Sequence, residues 1–466
     1  MRQHTGAAIQ FFGGAGTVTG SKHLVTVGER RVLLDCGLFQ GLKALRERNW
    51  AAPPFAADGV EAVVLSHAHV DHSGALPLLV RRGFSGPIYC TPGTADLLEI
   101  LLLDAAHLQE EEAEFANRHR TSKHSPALPL YTTADAQAAL RLLEPRPYGA
   151  AFDVAPDLQA TFRRAGHILG SATVLLTYGA PRPHTLVFSG DLGRWDRPIL
   201  RDPELVAEAD VLLIESTYGD RVHPQDPTDA LARILTETAE RRSVLLVPAF
   251  AVGRTQDLLY LLADLHRSHR LPPVQVYVDS PMATKATAIT IRHADILDAP
   301  TRAQLDWLRT NPAQPRFSFV QDVEESMALD RVRHGAVIIA ASGMCDGGRI
   351  RHHLAANLPR PESSIVFTGF QAQGTLGRRI VDGAREVRIF GEDIPVRARV
   401  HTIGGLSAHA DQAALLGWLR KFRAPPRQTF VVHGEAATAD LFAQTVREQL
   451  GWGATVPARG ATITLP

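Results

Sequence analysis

Within the six residues His67-Ala68-His69-Val70-Asp71-His72, four side chains can ligate a metal. Two imidazoles two positions apart project to one side of an extended chain and can share an ion. Asp71 and His72 fall where Asp71-His72-Ser73-Gly74 precedes the amphipathic run Ala75-Leu76-Pro77-Leu78-Leu79-Val80. The chain is expected to turn into a helix there, aiming a second ligand pair at a neighbouring point. Two imidazoles plus a carboxylate and a third imidazole suit a dinuclear site of borderline-soft ions, above all Zn²⁺. The plain alternative is a solvated polar loop, which so dense a set of ligand types after a strand-forming run argues against.

Other groups of the same chemistry recur far along the chain. Asp35 closes the run Arg31-Val32-Leu33-Leu34, and His167 sits between glycines in Gly166-His167-Ile168-Leu169-Gly170. Asp191 follows Thr185-Leu186-Val187-Phe188-Ser189-Gly190, Glu215 ends Val211-Leu212-Leu213-Ile214, and His433 follows Thr429-Phe430-Val431-Val432. His409 lies in Leu406-Ser407-Ala408-His409-Ala410-Asp411. Functional groups just beyond strand carboxyl ends are typical of α/β sites, although each one alone reads more readily as a loop acid or a solvated histidine. Beside a metal site, Asp35 becomes a residue that orients a ligand histidine. His107, His119 and His124 stand in or beside a charged helical stretch and read as solvated.

The elements that must position these groups are legible as apolar runs. Val60 and Ala62-Val63-Val64-Leu65 form a buried strand leading into the first motif. Ile9 to Gly13 and Ser21 to Thr26 read as two strands about a glycine-rich turn. Gly13, Gly14 and Gly16 do not have phosphate-loop spacing. From about 210 to 395, strands at 243–248, 274–279, 336–341 and 364–369 alternate with helical segments, the pattern of a parallel α/β sheet. We read this stretch as an inserted domain, with 1–209 and 396–466 as the two parts of the domain that receives it. Polar and glycine-rich loops at its strand ends, containing Arg254, Ser342, Gly343 and Thr375, are expected to line an anion-binding cleft.

Composition narrows the class. A chain of 466 residues, 45% hydrophobic and 21% charged, is long enough for two or three soluble domains. Zero formal net charge excludes a protein that coats nucleic acid by bulk electrostatics, leaving only a local basic groove. The three cysteines, Cys36, Cys90 and Cys345, are far apart and form neither a disulfide framework nor a zinc knuckle. No apolar run reaches membrane-spanning length, and Met1-Arg2-Gln3-His4 opens without a signal-type core, so a cytoplasmic location is expected.

The series Asp35, His67-x-His69-x-Asp71-His72, His167, Asp191 resembles the motifs of the metallo-β-lactamase superfamily. Its continuation, with Glu215 in Glu-Ser-Thr-Tyr-Gly, His409 in Leu-Ser-Ala-His-Ala-Asp and His433 in Val-Val-His-Gly-Glu, is similar to the β-CASP nuclease branch over essentially the whole chain. The resemblance implies an α/β protein: an αββα metallo-β-lactamase sandwich with an inserted parallel-sheet α/β β-CASP domain. It implies two Zn²⁺ per chain, one held by His67, His69, His167 and Asp191, the other by Asp71, His72, Asp191 and His433. A bridging hydroxide would attack a phosphodiester, with His409, held by Glu215, assisting the leaving oxygen. Arg254, Ser342, Gly343, Thr375 and His409 are the implied phosphate contacts.

The expected function is therefore a zinc-dependent ribonuclease acting on single-stranded RNA, with no membrane partner and with homodimerisation among the expectations. A DNA nuclease of the same branch would use the same ligands. A non-catalytic RNA-processing subunit is disfavoured by the full ligand set, and a small-ester hydrolase by the insertion.

Overall fold

The computed structural model describes residues 6–179, 181–222, 227–311, 317–369 and 371–466. The start of the chain, Met1 to His4, lies outside them. Among the described residues no helix is long and apolar enough to cross a membrane.

The chain divides into two compact units. The first, residues 1–196, 202–222 and 409–466, is built on two seven-stranded sheets. One runs Thr462–Leu465, Ala7–Gly13, Lys22–Val27, Arg30–Leu34, Ala62–Val64, Ile88–Cys90, Leu143–Pro145. The other runs Ala454–Thr455, Gln428–Val432, Val211–Glu215, His184–Phe188, Ala172–Tyr178, Leu158–Arg164, Ala151–Ala155. Period-two alternation decides what each face does. Val32, Leu34, Ala62 and Val64 of the first sheet meet Val174, Leu176, Leu186, Phe188 and Leu213 of the second in one core. Val187, Leu212, Ile214 and Val431 point the other way, where Leu415, Trp418, Leu419 and Phe442 of two C-terminal helices cover them. On the first sheet Leu33 and Val63 are fully buried on the opposite face, and the helices Leu76–Arg81, Pro92–His119 and Thr133–Leu140 pack together in the same unit. The result is the αββα sandwich. Burial of each Val, Leu or Ile contributes roughly 1.5–3 kcal/mol, whereas an exposed ion pair contributes about 0–1 kcal/mol. The sheet faces therefore hold the fold, and they carry the buried polar groups at their edge.

The second unit, residues 197–201 and 223–408, has a six-stranded sheet in the order Phe317–Phe319, Gln275–Asp279, Ala336–Ala340, Val244–Pro248, Ser364–Phe367, Arg399–Thr402. Every pairing is parallel. Both faces are apolar: Val244, Leu246, Ile338 and Ile365 pack with Ile350, Leu354 and Ile380, while Leu245, Val247, Val337 and Ile339 pack with Leu231, Leu258 and Leu262. Burial on both faces is why these strands read as unbroken hydrophobic runs.

The unit boundaries differ from the expected 210–395 insertion at both ends. Val211–Glu215 pairs in parallel with His184–Phe188 and Gln428–Val432, which keeps it in the first unit. Arg399–Thr402 pairs with Ser364–Phe367, which keeps it in the second. The chain crosses after 222 and returns at 409, so the segment expected as 396–466 begins thirteen residues later, at His409.

Candidate metal centre

Two sets of strand ends in the first unit deliver the candidate ligands. Arg30–Leu34 and Ala62–Val64 run in parallel, and Asp35 and His67 follow their carboxyl ends. In the other sheet His184–Phe188, Val211–Glu215 and Gln428–Val432 are parallel neighbours, and Asp191, Glu215 and His433 stand at theirs. The chain turns as expected ahead of the helix Leu76–Arg81, through a single helical turn, Val70–Ser73; His69 caps it, and Asp71 and His72 lie on it. Close backbone packing fixes this turn: a Cβ at Gly37 would lie 1.6 Å from the Asp71 carbonyl oxygen. A Cβ at Gly193 would lie 1.9 Å from the Gly166 carbonyl oxygen, so that glycine is what lets the His167 and Asp191 loops touch.

All seven predicted ligands come together in two groups. His67, His69, His167 and Asp191 form one, with their nitrogen and oxygen ligand atoms mutually within 4.8 Å; Asp71, His72 and His433 form the other. The Asp191 carboxylate faces both. Its Oδ2 is 3.5 Å from His67 Nε2 and 3.6 Å from His167 Nε2, and its Oδ1 is 3.4 Å from His72 Nε2 and 3.3 Å from His433 Nδ1.

The donor set fits cations. His69 Nδ1 lies 3.1 Å from His67 Nε2 and 3.2 Å from His167 Nε2, and His72 Nε2 lies 2.9 Å from His433 Nε2. Such convergence of imidazole nitrogens wastes lone pairs unless a cation takes them. Among the described residues, Asp191 Oδ1 and His167 Nδ1 are buried without a hydrogen-bond partner. Burial, aided by neighbouring imidazoles, holds His67 and His167 well below the usual histidine range, and burial takes His69 down to about 4. These rings therefore keep their lone pairs at neutral pH. His72 goes the other way: burial opposes its charge, but Asp191, Asp35 and Asp71 outweigh it and raise the imidazole well above its ordinary value. Asp191 itself is held well below the carboxylate range because His433, His72, His409 and His67 outweigh its burial.

Asp35 is fully buried and touches none of the open space. It takes a 2.6 Å contact from His72 Nδ1, and it accepts from Ser66 N at 2.8 Å and from the Ser66 and Ser21 hydroxyls at 3.0 Å each. It is thus placed to orient His72, leaving Nε2 to face His433. Asp35 and His433 both hold positive φ, at 59° and 49°. For non-glycine residues that costs of order 1–3 kcal/mol, tolerated where the surroundings fix the site. Asp35→Asn is expected to weaken metal binding about 10–100-fold, since the amide loses the charge that fixes the His72 ring. Titration of the metal-stripped variant against a chromophoric chelator measures this, and unchanged affinity would remove Asp35 from the role.

His409 and Glu215 form a third group with Asp191. Gly193 bridges to His409, and Ala410 N donates to Leu192 O at 2.7 Å, which ties the His409 turn to the Asp191 loop. His409 Nδ1 is 3.3 Å from Glu215 Oε2 and 3.8 Å from Asp191 Oδ2. Glu215 is fully buried and its Oε1 accepts from Leu192 N at 2.6 Å. Burial opposes charge on His409, but Glu215 and then Asp191 outweigh it, so the imidazole is raised above its ordinary value.

The remaining candidates, Arg254, Ser342, Gly343 and Thr375, belong to the second unit. Their loops meet at the carboxyl end of its sheet: Gln371 Nε2 donates to Gly343 O at 3.0 Å, and Gly377 N to Met344 O at 3.0 Å. Their hydroxyls have local work. Thr375 is buried, caps the helix Leu376–Val381 through Arg378 N and donates to Ala372 O, while Ser342 Oγ braces Gly347. Arg254 is buried against Asp257 at 3.2 Å. Recurrent helix capping, the ordinary explanation for such loops, accounts for Thr375.

Several bracing groups escaped the sequence reading. Ser66 Oγ lies 3.0 Å from His67 Nδ1, Thr217 Oγ1 lies 3.2 Å from His433 Nδ1, and Ser171 Oγ accepts from His167 N at 3.0 Å. Ser66 adjoins His67 and Thr217 follows Glu215 by two, but a hydroxyl carries no spacing signal of its own. Of the histidines expected to be solvated, His107 is exposed beside Glu111 and His119 stacks on Phe115.

Comparison with known proteins agrees with this arrangement. A β-lactamase superfamily domain matches residues 30–246, a Beta-Casp domain residues 255–380, and a Zn-dependent metallo-hydrolase RNA specificity domain residues 393–457. Ribonuclease TTHA0252 of Thermus thermophilus is 42% identical over 427 residues, covering 91% of this chain and 92% of that protein. Transcription termination factor FttA of Methanocaldococcus jannaschii is 33% identical over 451 residues, covering 94% of this chain and 68% of that protein. A crystal structure of a protein of unknown function from Enterococcus faecalis shares the fold at a TM-score of 0.55 and 14% identity, covering 99% of this chain and all of that one.

Proposed function

The chain belongs to the β-CASP family of the metallo-β-lactamase superfamily, and from that premise we propose that it is a zinc-dependent ribonuclease hydrolysing phosphodiester bonds of single-stranded RNA. The observation that carries this reading is the division of Asp191, whose two oxygens face two separate groups of imidazoles. Two zinc ions, one held by His67, His69, His167 and Asp191 and the other by Asp71, His72, Asp191 and His433, supply when bound an acidified water as nucleophile and neutralise charge on the phosphate.

The chain's own residues do the rest. Asp35 fixes the His72 tautomer, with the proton on Nδ1 and the lone pair on Nε2. Ser66 and Thr217 do the same for the rings of His67 and His433. Glu215 holds His409 Nδ1 and favours its imidazolium, which then gives the Nε2 proton to the departing oxygen. RNA as the substrate is supported by the names of the relatives and by the RNA specificity domain matched at 393–457.

The test is incubation of the zinc-loaded protein with labelled single-stranded RNA and DNA of equal sequence, with and without chelator. Cleavage of RNA that stops on chelation is expected. Intact RNA under metal-replete conditions would overturn the reading, and cutting of DNA alone would assign the site to a DNA nuclease.

A further inference from the structure

A cavity in the first unit is lined by none of the seven candidate ligands and has a different chemistry. It encloses about 580 Å³ of empty space including its open mouth, and Lys22, Arg48, Arg82 and Arg459 all line it. No Asp or Glu is among its lining residues. That is unusual in a chain whose 49 basic and 49 acidic residues cancel. Arginines elsewhere in the molecule pair with carboxylates, such as Arg349 with Asp279 at 2.7 Å and Arg197 with Asp257 at 3.4 Å. Among the described residues none of the four cations of the cavity does so.

Backbone carbonyls hold them instead. The Lys22 ammonium donates to Gly37 O, Arg82 Nη2 to Ala51 O at 2.9 Å and Arg459 Nε to Phe12 O at 3.3 Å. A carbonyl anchors a cation without cancelling its charge. The four are close enough to repel: burial first, then Arg82 and Arg459, lower Lys22, and burial and then Arg459 lower Arg48. Unopposed like charge around one space is a cost that an anion entering that space relieves.

The rest of the wall sets the shape of that anion. Phe12 and Phe55 lie 5.2 Å apart at ring centroids, and Phe39 has Lys22 at 5.1 Å and Arg48 at 5.5 Å from its centre. Asn49 pins the Phe39 backbone through both its amide groups, at 2.9 and 2.8 Å. Guanidinium forks suit phosphate oxygens, and aromatic faces suit a planar base. We propose that this cavity binds a phosphate-bearing ligand, its phosphate held among Lys22, Arg48, Arg82 and Arg459. The inference stands independently of the metal-centre reading, because none of the seven ligands lines the cavity.

Isothermal titration of the zinc-loaded protein with adenosine 5′-monophosphate and with adenosine tests it. Because charge-assisted bonds dominate, the nucleotide is expected to bind at least about tenfold more tightly than the nucleoside, and Arg48→Gln/Arg82→Gln to weaken nucleotide binding by at least about tenfold. The metal centre is common to both proteins, so the difference between them reports on the cavity alone. Arg459→Gln, at an exposed position, is expected to weaken binding severalfold. A free nucleotide and the end of a strand present the same groups. Tighter binding of a 5′-phosphorylated trinucleotide than of the mononucleotide would assign the site to strands, and equal or weaker binding to free nucleotides. Equal nucleotide affinity in the wild type and all variants, or adenosine bound as tightly as its monophosphate, would overturn the proposal.

Discussion

Asp191→Asn is expected to slow RNA cleavage by about 10³-fold or more, a larger loss than any other single change at the centre except removal of His409. The carboxylate faces both imidazole groups, Oδ1 toward His72 and His433, Oδ2 toward His67 and His167. The amide keeps the volume but removes the negative charge, and it turns one acceptor into a donor aimed at imidazole lone pairs. The damage falls on both groups at once. Asp191 is 2% exposed, so water cannot substitute for the lost oxygen. Single-turnover cleavage of a labelled single strand measures the effect, and a rate within tenfold of wild type would show that the two groups do not act through this residue.

His409→Ala is expected to cost about 10²–10⁴-fold in the same assay, the usual contribution of a positioned general acid, while metal content stays at the wild-type value. Loss of bound metal together with activity would instead make His409 a ligand. Glu215 supplies the sign of the accompanying pH effect. Its carboxylate, 3.3 Å from His409 Nδ1, stabilises the imidazolium and raises its pKa above the ordinary value. Glu215→Gln removes that stabilisation, so His409 loses its proton at lower pH. The alkaline limb of the rate profile is therefore expected to move to lower pH, with the acidic limb unmoved. A vertical drop with no displacement of the limb would mean that Glu215 only braces the Leu192 backbone.

The parts of this protein that were legible in the sequence are those written in local spacing. The motif at His67 to His72 carried both its candidate ligands and its turn, and the structure brings those side chains into the two groups and places a helical turn there, Val70–Ser73. The parallel sheet of the second unit was legible because burial on both faces leaves unbroken apolar strands. The unit boundaries were not. Val211–Glu215 and Val244–Pro248 are both five buried residues, and nothing within either says which sheet it joins. That choice lies in pairing with Gln428–Val432, more than two hundred residues away. The same holds for Arg399–Thr402, whose partner Ser364–Phe367 draws it into the second unit.

The candidate centre divides along similar lines. Carboxylates and imidazoles are few enough that their order along the chain carries information. The hydroxyls of Ser21, Ser66 and Thr217 are common residues and gain meaning only from Asp35, His67 and His433 beside them. Thr375, expected as an anion contact, caps the helix that follows it with its hydroxyl, and a polar residue ahead of a helix has the same sequence signal in both roles. His23 is a further case. Read as part of a strand, it proves to be a core histidine between Phe11 and Phe188, taken down to about 3 by burial and by His433 and His72. The basic cavity was invisible for a simpler reason, since its cations sit at 22, 48, 82 and 459 and no window of sequence contains two of them near enough to suggest a cluster.

The central claim is that seven side chains from both sheets of one unit hold two ions. Zinc per chain, counted by elemental analysis after reconstitution, tests it most directly when wild type is compared with His433→Ala. Two ions in the wild type and one in the variant are expected, because His433 serves only the group of Asp71 and His72. Two ions in both proteins, or one in the wild type, would contradict the assignment.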